Sequence, residues 1–267
     1  MKIASAKEET SISSRMETTM SFDFQLATPR PLPVLVLADT SGSMKGEKIE
    51  AMNHALRTMA AELAALDDVR GEVYLGVITF GGEPNILQPP IPARQVKLPE
   101  LSAGGKTPLG AALAIAHDLL EDRDIIPNRA FSPTLVLISD GQPTDLPDEL
   151  MSRIARRTTA NADELRETFL KWEPIQQLHT ATRAARSQRL ALGIEAGGSG
   201  DPTYALLEAF INQPGVPVAR ASEAGAILRF LQWVTLSVAS RTKGRDPNAI
   251  VPELLDLSKL TDDGLVL

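Results

Sequence analysis

Short, near-continuous apolar runs alternate along this chain with stretches whose apolar residues recur every three or four positions. Pro33–Asp39 (PVLVLAD), Val73–Phe80 (VYLGVITF), Thr134–Asp140 (TLVLISD) and Arg189–Ala196 (RLALGIEA) are runs of the first kind. Such runs predict strands buried on both faces. Ile49, Met52, Leu56, Met59, Leu63 and Leu66 follow the helical period, as do Ile227, Leu231, Val234 and Val238. Both sets predict amphipathic helices, the second started by Ser222. Pro108–Leu120 reads as an Ala/Leu-rich helix with Pro108 in its first turn. Tyr204–Ile211 reads as a short helix capped by Asp201. Residues 146–188 predict two or three helices, broken at Trp172-Glu173-Pro174. Weaker extended signals fall at Met20–Leu26, at Arg94–Leu98 after a Gly81-Gly82 turn, and at Val216–Ala219.

Strands alternating with helices predict an α/β fold: a doubly wound, mostly parallel, Rossmann-like sheet with helices on both faces and one antiparallel edge strand. The expected organisation is an N-terminal arm over 1–28, a domain over 29–240 with a helical insertion at 146–188, and an acidic tail over 241–267. Residues 246–267 hold five acids and one base. In such sheets ligands bind beyond the carboxyl ends of the strands, near the switch point. Two predicted core strands end in aspartate, Asp39 and Asp140.

Composition narrows the function classes. The chain has 267 residues with a net charge of −7, a balance that argues against a nucleic-acid partner. It has no cysteine, which excludes disulfides, thiolate metal sites and cysteine nucleophiles. No apolar run is long enough to span a bilayer, and the first residues lack the apolar core of a secretory leader. A cytoplasmic protein with no membrane partner is the expectation.

The chemistry lies in three loops. Asp39-Thr-Ser-Gly-Ser43 puts oxygen on alternate residues 39, 41 and 43; Gly104-Gly-Lys-Thr107 precedes a helix; Asp140-Gly-Gln-Pro-Thr-Asp145 follows a strand. Carboxylates and hydroxyls without nitrogen or sulfur suit a hard cation: Mg²⁺ first, with Mn²⁺ or Ca²⁺ as alternatives. Two carboxylates formally neutralise the ion, and the weak hydroxyl donors leave an open position attractive to one more carboxylate. The Gly105-Lys106-Thr107 string is not a phosphate loop, because position 100 is Glu and Pro108 follows. Asp39 as a phosphoryl-accepting nucleophile lacks a convergent acid, with Lys45 the candidate cation nearby. His54, His117 and His179, Trp172 and Trp233 read as structural residues, and Lys106 as a solvated loop lysine. Asp145 reads either as a turn residue or as a hydrogen-bond acceptor behind the ligands.

The order DTSGS, GGKT, SDGQPTD on this strand pattern resembles the von Willebrand factor A family and its metal-ion-dependent adhesion site, over about residues 30–240. The resemblance implies that Ser41, Ser43 and Thr107 ligate the metal directly, with Asp39 and Asp140 acting directly or through water. LADTSGSM, GGKTPLGAAL, DGQPTD and FLQWVTLSVAS look like the bacterial tellurium-resistance-associated TerY-type members of that family. This implies an intracellular, non-enzymatic interaction module with an acidic partner residue and kinase or phosphatase partners in a stress response. Two rival readings are an adaptor subunit of a chelatase-type AAA+ ATPase and a metal-dependent hydrolase or phosphotransferase. The 146–188 stretch is longer than the connection expected there.

Overall fold

The computed structural model describes residues 29–66, 71–155, 162–198, 200–243 and 265–266. In chain order these form β1 (Arg30–Asp39), α1 (Glu47–Ala64), β2 (Gly71–Gly81), β3 (Glu83–Pro92), α2 (Leu109–Glu121), β4 (Thr134–Ser139), α3 (Asp148–Ala155), α4 (Ala162–Leu170), α5 (Glu173–Thr180), β5 (Gln188–Ile194), α6 (Pro202–Ile211), β6 (Ala219–Ala221), α7 (Gly225–Lys243) and β7 (Leu265–Val266). The expected arm, with its Met20–Leu26 strand, lies outside the described residues, as does most of the acidic tail.

One sheet runs in the order β3-β2-β1-β4-β5-β6-β7. Its interior, from β2 to β6, is parallel. β3 is the antiparallel edge strand. At the other edge Leu265 and Val266 add a short antiparallel pairing with Ala221 and Arg220. The apolar runs alternate between two cores, as the period of two along a strand requires. Val34, Val36, Val136, Ile138, Leu190 and Leu192 face a layer built by α1 and α7. Leu35, Leu37, Leu135, Leu137 and Ala191 face the layer of α2, α4, α5 and α6.

Three sequence expectations need correction, one of them the short strand expected at Val216–Ala219, which is Ala219–Ala221. The extended segment after β2 is Glu83–Pro92, whereas Ala93–Gln95 is a 3-10 turn. Pro84, Pro89, Pro90 and Pro92 cannot donate to a ladder, and an edge strand needs donors on one side only. The last helix begins at Gly225, three residues past Ser222. Asp201 does cap α6, accepting the N–H groups of Thr203 and Tyr204. Two of the three helices at 148–180 are part of the core: Leu165, Phe169, Trp172, Ile175 and Leu178, from α4, α5 and the turn between them, are buried in the second layer, while Leu150 and Ile154 of α3 are half-buried against it. Trp233 is likewise buried, in the first.

The chain connects β1 to β2 through α1 on one face, and reaches β4 through α2 on the other. The topology therefore switches between β1 and β4, which are direct neighbours. Asp39 and Asp140 stand at the carboxyl ends of these two strands, on either side of the switch.

Candidate metal centre

Asp39 closes β1 and is fully buried. Its Oδ1 accepts the Ser41 N–H at 2.8 Å, and its Oδ2 accepts the Ser139 hydroxyl at 2.6 Å. Burial pushes the Asp39 carboxyl above the usual carboxylate range. The Ser139 and Ser41 hydrogen bonds hold it partly down, and the Asp140 charge adds to the upward push. A carboxylate in this position gains from any cation placed beside it.

A short hydrogen-bonded chain links the next three residues. Ser43 Oγ donates to Asp140 Oδ1 at 2.6 Å. Ser41 Oγ and Ser43 Oγ lie 2.9 Å apart. A serine hydroxyl has one proton, and Ser43 gives its own to Asp140, so Ser41 is the donor in that pair. Each hydroxyl keeps lone pairs while it donates. Ser41 is buried and Ser43 stands at the rim.

Backbone contacts bring Thr107 to the same end of the sheet. The Gly42 N–H donates to Gly105 O at 3.0 Å, and the Gly104 N–H donates to Thr40 O at 2.8 Å. The Gly82 N–H donates to Lys106 O at 2.9 Å. Thr107 itself is 6 % exposed. Its carbonyl accepts the Thr144 N–H at 2.9 Å, and its own N–H donates to Thr144 Oγ1 at 3.1 Å. The three motif loops are therefore laced to one another, which their separation along the chain did not reveal. Asn53 of α1 adds a further tie: its amide donates to Leu101 O at 2.9 Å and accepts the Leu101 N–H at 2.7 Å. This fixes the start of the loop that ends at Thr107.

Four participants escaped the sequence reading. Ser139 holds Asp39. Asn53 ties α1 to the loop that leads to Thr107. Lys48, in the first turn of α1, donates to Asp140 Oδ2 at 2.9 Å and to Glu195 Oε2 at 2.7 Å. Burial alone would lower the Lys48 pKa, but the Glu195 and Asp140 carboxylates outweigh it and raise the value. Lys48, not Lys45, is thus the cation on the centre. Glu195 follows β5 directly with φ of +56°, an uncommon backbone for a residue with a Cβ. That backbone angle cannot be read from a sequence, and no local pattern separates Lys48 from the other α1 charges.

Asp145 resolves as a cap. Its two carboxylate oxygens accept the N–H groups of Gly110 and Ala111 at 3.2 and 2.9 Å, covering the exposed amino end of α2. Lys106 is exposed, as expected of a loop lysine. The histidines stand on α1, α2 and α5: His54 is exposed, His117 pairs with Asp118, and His179 bonds the Phe210 carbonyl. Among the described residues no group of three or more His, Asp or Glu is disposed to hold a metal, so any cation here relies on hydroxyl donors. The donors present fit a hard divalent ion: two carboxylates, serine lone pairs beside them and a buried threonine in the facing loop.

Residues 34–142 match the family model of the von Willebrand factor type A domain. Among curated proteins, the inter-alpha-trypsin inhibitor heavy chain H4 of Sus scrofa is 30 % identical over 123 residues, covering 43 % of this chain and 13 % of that protein. The chain therefore spans only a small part of that relative's length. Among solved structures, a von Willebrand factor type A protein from Catenulispora acidiphila superposes with a TM-score of 0.52 at 16 % identity, over 78 % of this chain and 42 % of its own. Proximal thread matrix protein 1 from the mussel byssus, a structure with a zinc-occupied MIDAS motif, gives 0.51 at 13 % identity, over 78 % and 48 %. These structures share the fold.

Proposed function

We propose that this chain is a von Willebrand factor A module that binds a divalent cation through Asp39, Ser41, Ser43, Thr107 and Asp140, and through it an acidic residue of a partner protein. The observation that carries the reading is the Ser41–Ser43–Asp140 hydrogen-bonded chain beside buried Asp39, set on the switch point of the sheet. The family-model match over the segment that holds all five residues supports it.

A bound cation supplies an open coordination position for a carboxylate. The chain's own residues do the rest. Asp39 and Asp140 supply negative charge, and Ser139 and the Ser41 N–H fix the Asp39 rotamer. Ser41 and Ser43 offer lone pairs without adding charge, so the ion keeps an unsatisfied demand for an anion. Mg²⁺ fits this donor set first, with Mn²⁺ and Ca²⁺ as alternatives. The sequence resemblance to TerY-type proteins supports an intracellular, non-enzymatic role with kinase or phosphatase partners. The positions of the three histidines, exposed, paired with Asp118 or bonded to the Phe210 carbonyl, accord with binding, since none of them stands among the five residues.

The test is calorimetric titration of the chain with Mg²⁺ and Mn²⁺. Asp39→Ala and Ser41→Ala are expected to weaken binding by at least tenfold, about 1.4 kcal/mol or more. Unchanged affinity in both variants removes the assignment.

A further inference from the structure

The two carboxylates of the centre are neutralised in different ways. Asp39 is held by neutral donors, the Ser41 N–H and the Ser139 hydroxyl. Asp140, whose side chain is 1 % exposed, receives an ammonium: Lys48 Nζ lies 2.9 Å from its Oδ2. The same Nζ lies 2.7 Å from Oε2 of Glu195, whose side chain is 60 % exposed. Lys48 therefore stands between a buried carboxylate of the centre and an open one outside it.

Two cations cannot share Asp140 without repulsion. A divalent ion held through this carboxylate would lie within a few ångströms of Nζ, where the dielectric is well below that of water. Lysine is suited to yield. It carries a point charge on a flexible stem, whereas an arginine would be locked to a carboxylate by two bonds. The space for it to yield into is present. Lys48 and Glu195 line a cleft of about 480 Å³ with Lys45, Glu47 and Glu223, open beside the centre and richer in carboxylates than in ammonium groups.

We propose that Lys48 is a built-in competitor of the divalent ion for Asp140, and that Glu195 is the carboxylate to which its ammonium withdraws when the ion binds. The proposal rests on the reading of the centre as a divalent-cation site. In the metal-free chain Lys48 keeps the buried Asp140 charge compensated, so the centre stays formed without its ion. The lysine also sets a threshold, because metal must displace an ammonium before it can occupy the site. Glu195 lowers that threshold by receiving the displaced charge.

The test uses the 267-residue chain and four forms: wild type, Lys48→Met, Glu195→Gln and the double variant. Each is titrated with Mn²⁺ and Mg²⁺ by calorimetry and melted without metal. Lys48→Met is expected to bind roughly tenfold tighter or more, because a like charge has been removed. Its metal-free form is expected to melt at a lower temperature than wild type. Glu195→Gln is expected to bind several-fold more weakly, and that loss is expected to vanish in the double variant, which follows Lys48→Met. Lys48→Gln, which keeps a neutral donor for Asp140, reports the same direction if the methionine variant fails to fold.

Unchanged or weaker binding in the Lys48 variants overturns the proposal. So does a Glu195→Gln loss that persists in the double variant, since Glu195 would then serve the ion directly. The underlying reading fails separately: neither wild type nor Lys48→Met would bind metal. If wild type binds, Asp39→Ala abolishes binding and Lys48→Met leaves it unchanged, the lysine proposal alone falls.

Discussion

Gly81 shows how a residue without a functional group shapes the centre. A Cβ built on it would lie 2.1 Å from Thr40 O, inside the chain that carries Ser41 and Ser43. Opposite, Gly105 adopts φ of +77°, and a Cβ there would meet Gly82 Cα at 2.5 Å. The paired glycines let three loops meet backbone to backbone. Gly81→Ala is expected to cost about 2–3 kcal/mol in urea unfolding, from overpacking against a backbone with no rotamer to change. It is also expected to weaken Mn²⁺ binding, measured in the same preparation. At this scale legibility followed covalent position. Asp39 and Asp140 could be found because each closes an apolar run, and Ser41 and Ser43 because they alternate with Asp39. Lys48 meets Glu195 across 147 positions of chain. No periodicity reaches that far, so folding alone brings the pair together.

The elements hold these residues by their ends. α2 starts at Leu109 without a side-chain cap of its own, because Pro108 occupies the position before it. Asp145, from the turn after β4, supplies the missing acceptor from 35 positions away. Asp145→Ala is expected to lower stability by about 1 kcal/mol, whereas Asp145→Asn retains most of it through its amide oxygen. Chemical denaturation of the two variants checks the difference. The same bonds couple the 140–145 turn to the helix that begins two residues after Thr107, so the alanine variant is expected to weaken Mn²⁺ binding as well. Strand β3 escaped the sequence reading for a related reason. Four prolines hide its extended character, and only its place at the sheet edge makes them harmless. The helices at 148–180 were legible as helices. That α4 closes a core against α6, and α5 against α2, was not, because amphipathic stripes do not say which surface they will cover.

Across the whole molecule, stability depends on joints between neighbouring helices as well as on the layers they form. His179 of α5 bonds the Phe210 carbonyl of α6 at 3.1 Å, half-buried between the two helices. Burial lowers its pKa; the Phe210 hydrogen bond opposes this, and the Arg189 and Arg166 charges lower it further. A native value below the ordinary 6.5 means that the unfolded chain binds this proton more readily than the folded one. Its contribution is therefore complete above pH 6.5 and is lost as the pH falls from there towards the depressed native value. Urea unfolding of wild type and His179→Gln between pH 8 and 5 is expected to show the steeper acid-side loss in wild type.

The order of apolar runs and helical periods determined the layered parallel sheet by itself, because burying strands on both faces leaves few alternatives. It also determined the oxygen-rich character of the loops beyond two strands, because those side chains are covalently fixed to strand ends. The tertiary structure decided what surrounds them: the Ser139 bond, the Asp145 cap, and the lysine held between Asp140 and Glu195. Each depends on the distance between residues far apart in sequence, and that distance is set by how the layers pack.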